Sequence, residues 1–247
     1  MDSAAPRIGI IVVAYNAATT LAQVLDRIPR WFVPQISDVL VCDDASQDAT
    51  FLVGLGYQQL TDLPLTVIRR DQNLGYGGNQ KAGYRWAIDA GLDIVVLLHG
   101  DGQYAPELLP EIVRPLEEGD ADAVFGSRML EPGRARQGGM PLYKYLANAA
   151  LNVLENRTLG LDMTDYHSGY LVYGRRVRQR VPFARLSDSF DFDLEVIASA
   201  RARGLAVAEE PVPTHYGDEL SHLRPIPYGA RVLRVLWRYR RGDYGPA

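Results

Sequence analysis

Residues 93–111, DIVVLLHGDGQYAPELLPE, contain a strand, a polar cluster and the start of a helix in direct succession. The continuous apolar run over residues 94–98 is typical of a strand that is covered on both faces. His99, Asp101 and Gln103 then follow at alternate positions, and Pro106 stands where helices accept proline, in the first turn. A strand that leads directly into a helix is the repeating unit of an α/β fold.

The same unit repeats on both sides of this stretch. Strands are predicted in RIGIIVVAYN (7–16), DVLVCDDAS (38–46), LPLTVIRR (63–70) and ADAVFGSR (121–128). Helices are predicted in TTLAQVLDRI (19–28), where Thr20 and Gln23 have the spacing of a capping box, and in GYGGNQKAGYRWAIDAG (75–91). Strands that alternate with helices predict a mostly parallel sheet with helices on both faces.

The second half of the chain is less regular. Helices are predicted in MPLYKYLANAALNVLENRTLG (140–160), FDFDLEVIASARARG (190–204) and PYGARVLRVLWRYRRG (227–242), and extended segments in SGYLVYG (168–174) and AVAEEPVPTHY (206–216). No linker or internal repeat divides the sequence. We therefore expect one domain over residues 1–247, with a regular first half (1–130) and a less regular second half (131–247).

Composition limits the classes of function. The formal net charge is -4, which gives no reason to expect a nucleic-acid partner. Cys42 is the single cysteine, so an internal disulfide and a cysteine-rich zinc site are excluded. The start MDSAAPR lacks the features of a signal peptide, and no run reaches the roughly 18 apolar residues of a spanning helix. We expect a cytoplasmic protein that does not cross a membrane by itself.

The polar residues at the end of the opening strand are candidate metal ligands. Alternate residues of an extended segment point to the same side, so His99, Asp101 and Gln103 can face one ion. Oxygen ligands suit Mg²⁺ or Mn²⁺, and the imidazole favours Mn²⁺. The alternative is a loop in which Asp101 and Gly102 form a turn and His99 caps the strand.

Two further segments carry polar groups to the same edge of the predicted sheet. Asp43 and Asp44 end a strand and could accept hydrogen bonds from a nucleobase or a ribose; the alternative is a turn followed by a helix cap. The glycines of RRDQNLGYGGNQKAG (69–83) allow close approach of the backbone to a ligand at a helix start. Its spacing matches neither a P-loop nor a dinucleotide fingerprint.

Taken in order, six segments resemble the family 2 glycosyltransferases of the GT-A fold, a Rossmann-like α/β architecture. They are VVAYN, VCDDASQDAT, RRDQNLGYGGNQKAG, HGDGQY, FGSR and DYHSGYLVYGRR, and they extend over roughly residues 7–220. More narrowly, the chain resembles the dolichyl- or polyprenyl-phosphate sugar transferases, such as dolichol-phosphate mannose synthase. The resemblance implies that residues 1–130 form the nucleotide-sugar-binding half of the domain and residues 131–247 form the acceptor half.

The resemblance implies site residues by position. Those that match the segments for the sugar-nucleotide donor are Ala14, Tyr15, Asn16, Asp43, Asp44, Asn73, Gly75, Asn79 and Lys81. The metal motif is matched by His99, Asp101 and Gln103, where His99 replaces the usual first aspartate. Arg128 matches an arginine that contacts either the donor phosphates or the acceptor phosphate. Asp165, Ser168, Gly169 and Tyr170 match a segment near the sugar and the acceptor. Arg134, Arg136 and Lys144 are additional cations that could hold an anionic acceptor.

These implications define an expected reaction and its alternatives. The expected enzyme is inverting and metal-dependent, and moves a hexose from a GDP- or UDP-sugar to a polyprenyl or dolichyl phosphate. The alternative acceptor is a hydroxyl of a sugar or small molecule, which requires a base. Asp193 and Asp165 are the candidate bases, although a carboxylate at Asp193 would also suit a helix start. A non-catalytic nucleotide-sugar-binding protein is the alternative of another class.

Access to a lipid acceptor raises the question of membrane contact. Residues 220–242 contain no acidic residue, and six arginines surround apolar residues and Trp237. Such a basic helix suits a membrane interface, but it equally suits a helix docked on the domain. A membrane-embedded partner could also supply the anchor. In the loop PTHYGDELSHLRP, His215 is a further candidate for contact with the metal or diphosphate, and His222 lies nearby.

Overall fold

The centre of the protein is a sheet flanked by helices, as seen in a computed structural model that describes residues 5–213 and 225–246. Within these residues the strands are β1 Ile8–Ala14, β2 Ile36–Asp43, β3 Leu65–Arg69, β4 Ile94–His99, β5 Ala123–Ser127, β6 Leu171–Gly174 and β7 Val207–Pro211. The helices are α1 Leu21–Asp26, α2 Thr50–Gln58, α3 Tyr76–Asp89, α4 Leu109–Glu117, α5 Arg134–Gln137, α6 Leu142–Leu159, α7 Arg175–Arg180, α8 Phe192–Ala202 and α9 Pro225–Arg240.

The strand order is β3-β2-β1-β4-β6-β5-β7. Parallel pairs join β1 to β2 and β4, β2 to β3, and β5 to β7. Strand β6 lies between β4 and β5 and is antiparallel to both. The mostly parallel sheet is therefore as predicted, while the antiparallel β6 is a feature that strand patterns alone did not reveal.

Two apolar layers cover the faces of the sheet. Alternation along β1 sends Ile10 and Val12 to the layer that also contains residues of α1 and α4. Ile11 points to the other layer, which contains residues of α3, α8 and α9. Burial on both faces explains why β1 is a continuous apolar run.

The predicted capping box at the start of α1 is wrong. Thr20 is the N-cap residue, but its side chain makes no capping hydrogen bond. The Thr20 hydroxyl instead donates to the backbone oxygen of Gly100 at 2.6 Å. This bond fastens the start of α1 to the loop after β4, so a tertiary contact has replaced the local one.

The described helices include none that is long and apolar enough to span a bilayer. Helices α2 and α7 were not assigned from the sequence, because their residues lack a clear 3.6-residue apolar period.

Candidate active site

The carboxyl ends of β1, β2 and β4 lie next to one another, where ligands bind in open α/β sheets. In the sheet register, Ala14 is opposite Asp43 and Val13 is opposite His99. The predicted convergence of these polar segments is therefore present in the structure. The loop after β4 then continues this edge with Asp101 and Gln103.

The loop after β1 is held by the loop after β2. Asn16 has a φ of 52°, a left-handed conformation that asparagine tolerates better than most residues. Its backbone N–H donates to Ser46 Oγ at 2.9 Å, and its Oδ1 accepts the N–H of Gln47 at 2.9 Å. Ala14 is buried beneath, while Tyr15 is exposed at the edge.

Asp43 stabilises the turn that follows β2. Its Oδ1 accepts the Ser46 N–H at 3.1 Å and also the Ser46 hydroxyl. Its Oδ2 lies 3.6 Å from Arg69 Nε and has no hydrogen-bond partner within the described residues. The side chain is fully buried, so in this conformation the turn anticipated as an alternative accounts for Asp43.

Asp44 holds the glycine-containing segment. Its two oxygens accept the N–H groups of Leu74 at 2.8 Å and Gly75 at 3.1 Å. Burial raises the pKa of Asp44, and these two hydrogen bonds act in the opposite direction. Asn73 adds a hydrogen bond from its side-chain amide to the backbone oxygen of Asp44. The acidic pair therefore shapes the edge of the site from within.

The start of α3 approaches the segment before α8 closely. Gly75 has a φ of 77°, and a Cβ there would lie 2.9 Å from the backbone oxygen of Asp188. Lys81 Nζ contacts the Asp188 carboxylate at 2.5 Å and donates to the Leu186 oxygen at 3.0 Å. Asn79 donates to the backbone oxygen of Cys42 and is buried. Lys81 and Asn79 thus fix the backbone around the site in this conformation.

The loop after β4 contains the anticipated turn at Asp101 and Gly102. Gly102 has a φ of 79°, and Asp101 Oδ1 accepts the Gln103 N–H at 2.9 Å. No group of three His, Cys, Asp or Glu side chains within residues 5–213 and 225–246 is arranged to hold a metal ion. Asp101 and Gln103 nevertheless carry side-chain oxygens, the atoms that Mg²⁺ prefers in sites with few protein ligands.

His99 is enclosed by aromatic side chains. Its ring centroid lies 5.6 Å from that of Tyr76 and 5.3 Å from that of Tyr104. Burial lowers the pKa of His99, although the nearby Asp101 carboxylate acts in the opposite direction, and the neutral imidazole is therefore favoured. Its Nε2 atom is buried and has no hydrogen-bond partner among the described residues.

Asp193 lies in the first turn of α8, beneath Tyr76. The Tyr76 hydroxyl donates to Asp193 Oδ2 at 2.7 Å. Burial raises the pKa of Asp193 to about 7, against the lowering effect of the hydrogen bond from Tyr76. Since the carboxyl group is enclosed, it is not in open contact with the edge where a substrate would bind.

Arg128 and Asp165, two of the predicted site residues, form a buried ion pair. Arg128 Nε lies 2.6 Å from Asp165 Oδ2, and a terminal nitrogen of the same guanidinium lies 2.9 Å from Oδ1. That group also donates to the backbone oxygen of His167 at 2.9 Å. Burial alone would raise the pKa of Asp165, but the Arg128 charge and hydrogen bonds bring that pKa below its ordinary value. The pair orders the start of the DYHSGY segment.

The rest of that segment packs against the loop after β4. The Gly169 N–H donates to the Tyr104 hydroxyl at 2.6 Å, and the Tyr170 hydroxyl donates to the Ala105 oxygen at 3.1 Å. Ser168, like Tyr170, is buried. The DYHSGY segment is thus joined by hydrogen bonds to the loop after β4, which contains the candidate metal ligands.

The other predicted acceptor cations lie beyond this segment. Arg134 pairs with Glu131 at 2.5 Å, and Arg136 donates to the backbone oxygen of Met140. Arg128 and Arg134 line one small cavity, and Lys144 follows in the first turn of α6. Arg134 is therefore close to Arg128 of the buried ion pair, while Arg136 and Lys144 follow it along the chain.

Three residues of this arrangement were missed from the sequence. Tyr76 and Tyr104 enclose His99, and Glu209 on β7 accepts the N–H groups of Thr164 and Asp165. Both tyrosines stand beside segments singled out in the sequence, which was an available signal. Nothing in its local sequence marked Glu209. His215, His222 and Arg224 lie outside the described residues.

Comparison with known proteins identifies the family of this chain. Residues 9–181 match Glycosyl transferase family 2. Undecaprenyl-phosphate mannosyltransferase of Micrococcus luteus is 30% identical over 207 residues, covering 83% of this chain and 82% of that protein. Polyprenol monophosphomannose synthase of Mycolicibacterium smegmatis is 26% identical over 204 residues, covering 82% and 75%.

A solved structure supports the same fold. Glucosyl-3-phosphoglycerate synthase from Mycobacterium tuberculosis, crystallised with Mn²⁺, UDP and glucosyl-3-phosphoglycerate, superposes with a TM-score of 0.66 at 19% identity. The match covers 98% of this chain and 81% of that one.

The chain belongs to glycosyltransferase family 2, because the family match extends over most of its length. It is a glycosyltransferase with the GT-A fold. The predicted family, fold and enzyme class are confirmed, and the alternative of a non-catalytic binding protein is not supported.

Proposed function

We propose that this glycosyltransferase transfers a hexose from a nucleotide diphosphate sugar to a polyprenyl phosphate. The observation that carries this proposal is the apolar outer face of α6, directly after the cations of the acceptor side. Leu142, Tyr143, Leu146 and Val153 expose more than half of their surface there. Two relatives named as polyprenyl-phosphate mannosyl transferases support this acceptor and favour mannose as the sugar.

The sugar-nucleotide donor would bind at the carboxyl ends of β1, β2 and β4. Exposed Tyr15 and the ordered loop at Asn16 provide one wall, and the segment held by Asp44 provides the other. Asp101 and Gln103 would hold Mg²⁺ or Mn²⁺, which would stabilise the charge on the departing nucleoside diphosphate. GDP and UDP both remain compatible with these contacts.

A lipid phosphate acceptor suits the enclosed position of Asp193, because such an acceptor needs no general base. A phosphate monoester is already anionic near pH 7, so its oxygen can attack the anomeric carbon without a general base. The new bond forms with inversion as the bond to the nucleoside diphosphate breaks. Arg134, Arg136 and Lys144 would attract the acceptor phosphate, and the Arg128–Asp165 pair would keep the segment beneath it in place.

A membrane surface is the place where such an acceptor is found. Residues 132–154 contain no acidic residue, and residues 220–242 contain none either. Leu233 and Trp237 are exposed on α9, as the four large apolar residues are on α6. Exposed apolar side chains among basic residues favour binding to an anionic bilayer, so we propose peripheral contact with the cytoplasmic face.

The transfer assay uses GDP- and UDP-sugars, Mn²⁺ or Mg²⁺, and a short polyprenyl phosphate in detergent. We expect a lipid-linked sugar with the wild type and at least a hundredfold loss with Asp101→Ala. Asp62→Ala, an exposed carboxylate in the loop before β3, serves as the matched control. Hydrolysis of the sugar nucleotide without lipid product would overturn the lipid acceptor while keeping the enzyme.

One observation favours transfer to a hydroxyl as the second candidate. The pKa of Asp193 is about 7, which suits a general base near neutral pH. This candidate requires Tyr76 to move away from the carboxylate. Product formed with a soluble sugar acceptor, and abolished by Asp193→Asn, would establish it in place of the lipid phosphate.

A further inference from the structure

We propose that His99 is a positioning residue that joins the donor side of the site to the acceptor segment, and that it is not a ligand of the divalent ion. The inference rests on the proposed function for the ion at Asp101 and for the acceptor of the kinetic test, whereas the contacts of His99 do not depend on it. It concerns the position at which this chain departs from the aspartate usual in the motif. The surroundings of the imidazole ring carry the argument.

The edge of the His99 ring is occupied by protein. An ideal Cβ built on Gly169 would lie 2.8 Å from both Cε1 and Nε2 of His99, so this edge faces the Gly169 main chain at close range. An ion bound to an imidazole nitrogen lies about 2.0–2.2 Å from it. Because Nε2 is buried against Gly169, that nitrogen has no room for an ion.

The imidazole also has two aromatic neighbours. The Tyr76 ring is tilted against it by 58°, and the Tyr104 ring is nearly perpendicular to it, with an interplanar angle of 78°. The Tyr104 hydroxyl accepts the Gly169 N–H, so the same glycine is held from two directions. A carboxylate in this enclosure would be a buried charge beside two aromatic rings, which is costly, whereas a neutral imidazole fits.

Through these contacts His99 connects two segments that must meet during transfer. Tyr76 follows Gly75, whose N–H is held by Asp44 on the donor side. Gly169 belongs to the acceptor segment, and its missing Cβ would also lie 3.0 Å from the Tyr76 hydroxyl. His99 therefore sets the distance between the donor-side turn and the acceptor-side turn, and Asp101 remains as the carboxylate for the ion.

The first experiment measures the ion directly. Electron paramagnetic resonance titration of Mn²⁺, with UDP or GDP present, compares the wild type with His99→Leu and Asp101→Asn. We expect His99→Leu to keep the Mn²⁺ dissociation constant within about twofold, and Asp101→Asn to weaken it at least tenfold. A tenfold weakening in His99→Leu would overturn the proposal, because it would show that the imidazole is a ligand.

The second experiment tests positioning through kinetics. His99→Leu should raise the acceptor KM about tenfold and leave the KM for the sugar nucleotide nearly unchanged. A purely structural loss would lower the active fraction and kcat without this separation. An unchanged acceptor KM in a folded variant would contradict the positioning role.

A third measurement needs neither activity nor metal. Gly169→Ala should lower the urea midpoint in the wild-type background, since its methyl group meets the His99 ring. In the His99→Ala background, Gly169→Ala should lower the urea midpoint much less. Additive effects would refute the contact. If the wild type binds no Mn²⁺ even with nucleotide, the proposed metal site fails, and this cycle still decides the role of His99.

Discussion

At the scale of single residues, Asp193 should make stability depend on pH in an unusual direction. Its folded pKa of about 7 lies above the ordinary range for aspartate, because burial disfavours the charged form. The folded state therefore binds a proton that the unfolded state has lost between about pH 4 and 7. By linkage, the contribution of Asp193 to the unfolding free energy falls as pH rises through this interval and is lowest above the folded pKa.

The prediction follows for Asp193→Asn, which keeps a group able to accept the Tyr76 hydrogen bond. The wild type should lose up to about 4 kcal/mol of unfolding free energy from this group between pH 4 and 8, and the variant should lack that component. Urea unfolding at a series of pH values provides the measurement. Parallel stability curves for the two proteins would show that Asp193 titrates normally.

Asp43 and Asp44 show what the sequence could and could not predict about single residues. Their place at the sheet edge followed from the rule that parallel strands end together. Their orientation did not follow, because the groups that Asp44 binds, the N–H groups of Leu74 and Gly75, lie about 30 residues away in the chain. Local patterns contain no information on such partners, so an inward hydrogen bond and an outward ligand contact could not be distinguished.

At the scale of elements, α6 shows the limit of apolar periodicity. The helix was predicted over residues 140–160, and α6 spans Leu142–Leu159. It buries Asn152 and Glu155, whereas Leu142 and Leu146 are exposed. A periodic pattern defines a stripe on a helix but not whether that stripe faces the core or the outside.

Glu155 is a polar residue on the buried side of α6, and the ring of His167 lies beside its carboxylate. It is fully buried, and its Oε2 lies 3.4 Å from His167 Nε2. The Nδ1 of the same imidazole is 2.8 Å from the Tyr228 hydroxyl on α9. His167 thus contacts one side chain from each of two helices, Glu155 of α6 and Tyr228 of α9.

Replacing His167 alone should therefore lower the unfolding free energy more than replacing both His167 and Glu155. His167→Phe leaves a buried carboxylate without its partner, and we expect a loss of about 3 kcal/mol in unfolding free energy. The double variant Glu155→Leu with His167→Phe should recover most of this loss. Urea midpoints at one pH provide the comparison. If the double variant is as unstable as His167→Phe, the cost arises from packing around the ring and not from the unpaired charge.

At the scale of the whole molecule, the proposed donor edge and the proposed acceptor side use different parts of the sheet. The donor edge is built by β1, β2 and β4, where the chain follows the regular α/β alternation that the sequence predicted well. The acceptor side depends on the antiparallel strand β6 and on α6 and α9, which pack through long-range contacts. The regular half was therefore easier to predict than the half that distinguishes one acceptor from another.

The outer surface of the acceptor side leads to the last prediction, binding to anionic vesicles by the full chain. Leu146→Asp should reduce flotation with vesicles rich in phosphatidylglycerol about tenfold, because it places a charge on the exposed apolar face of α6. Leu60→Asp, at an 89% exposed position after α2, is the matched control and should bind like the wild type. Added salt should weaken binding, since the arginines contribute through screened charge. Equal flotation of both variants would exclude α6 as the lipid-facing surface, and a change from dimer to monomer in Leu146→Asp would assign this face to a second copy of the chain.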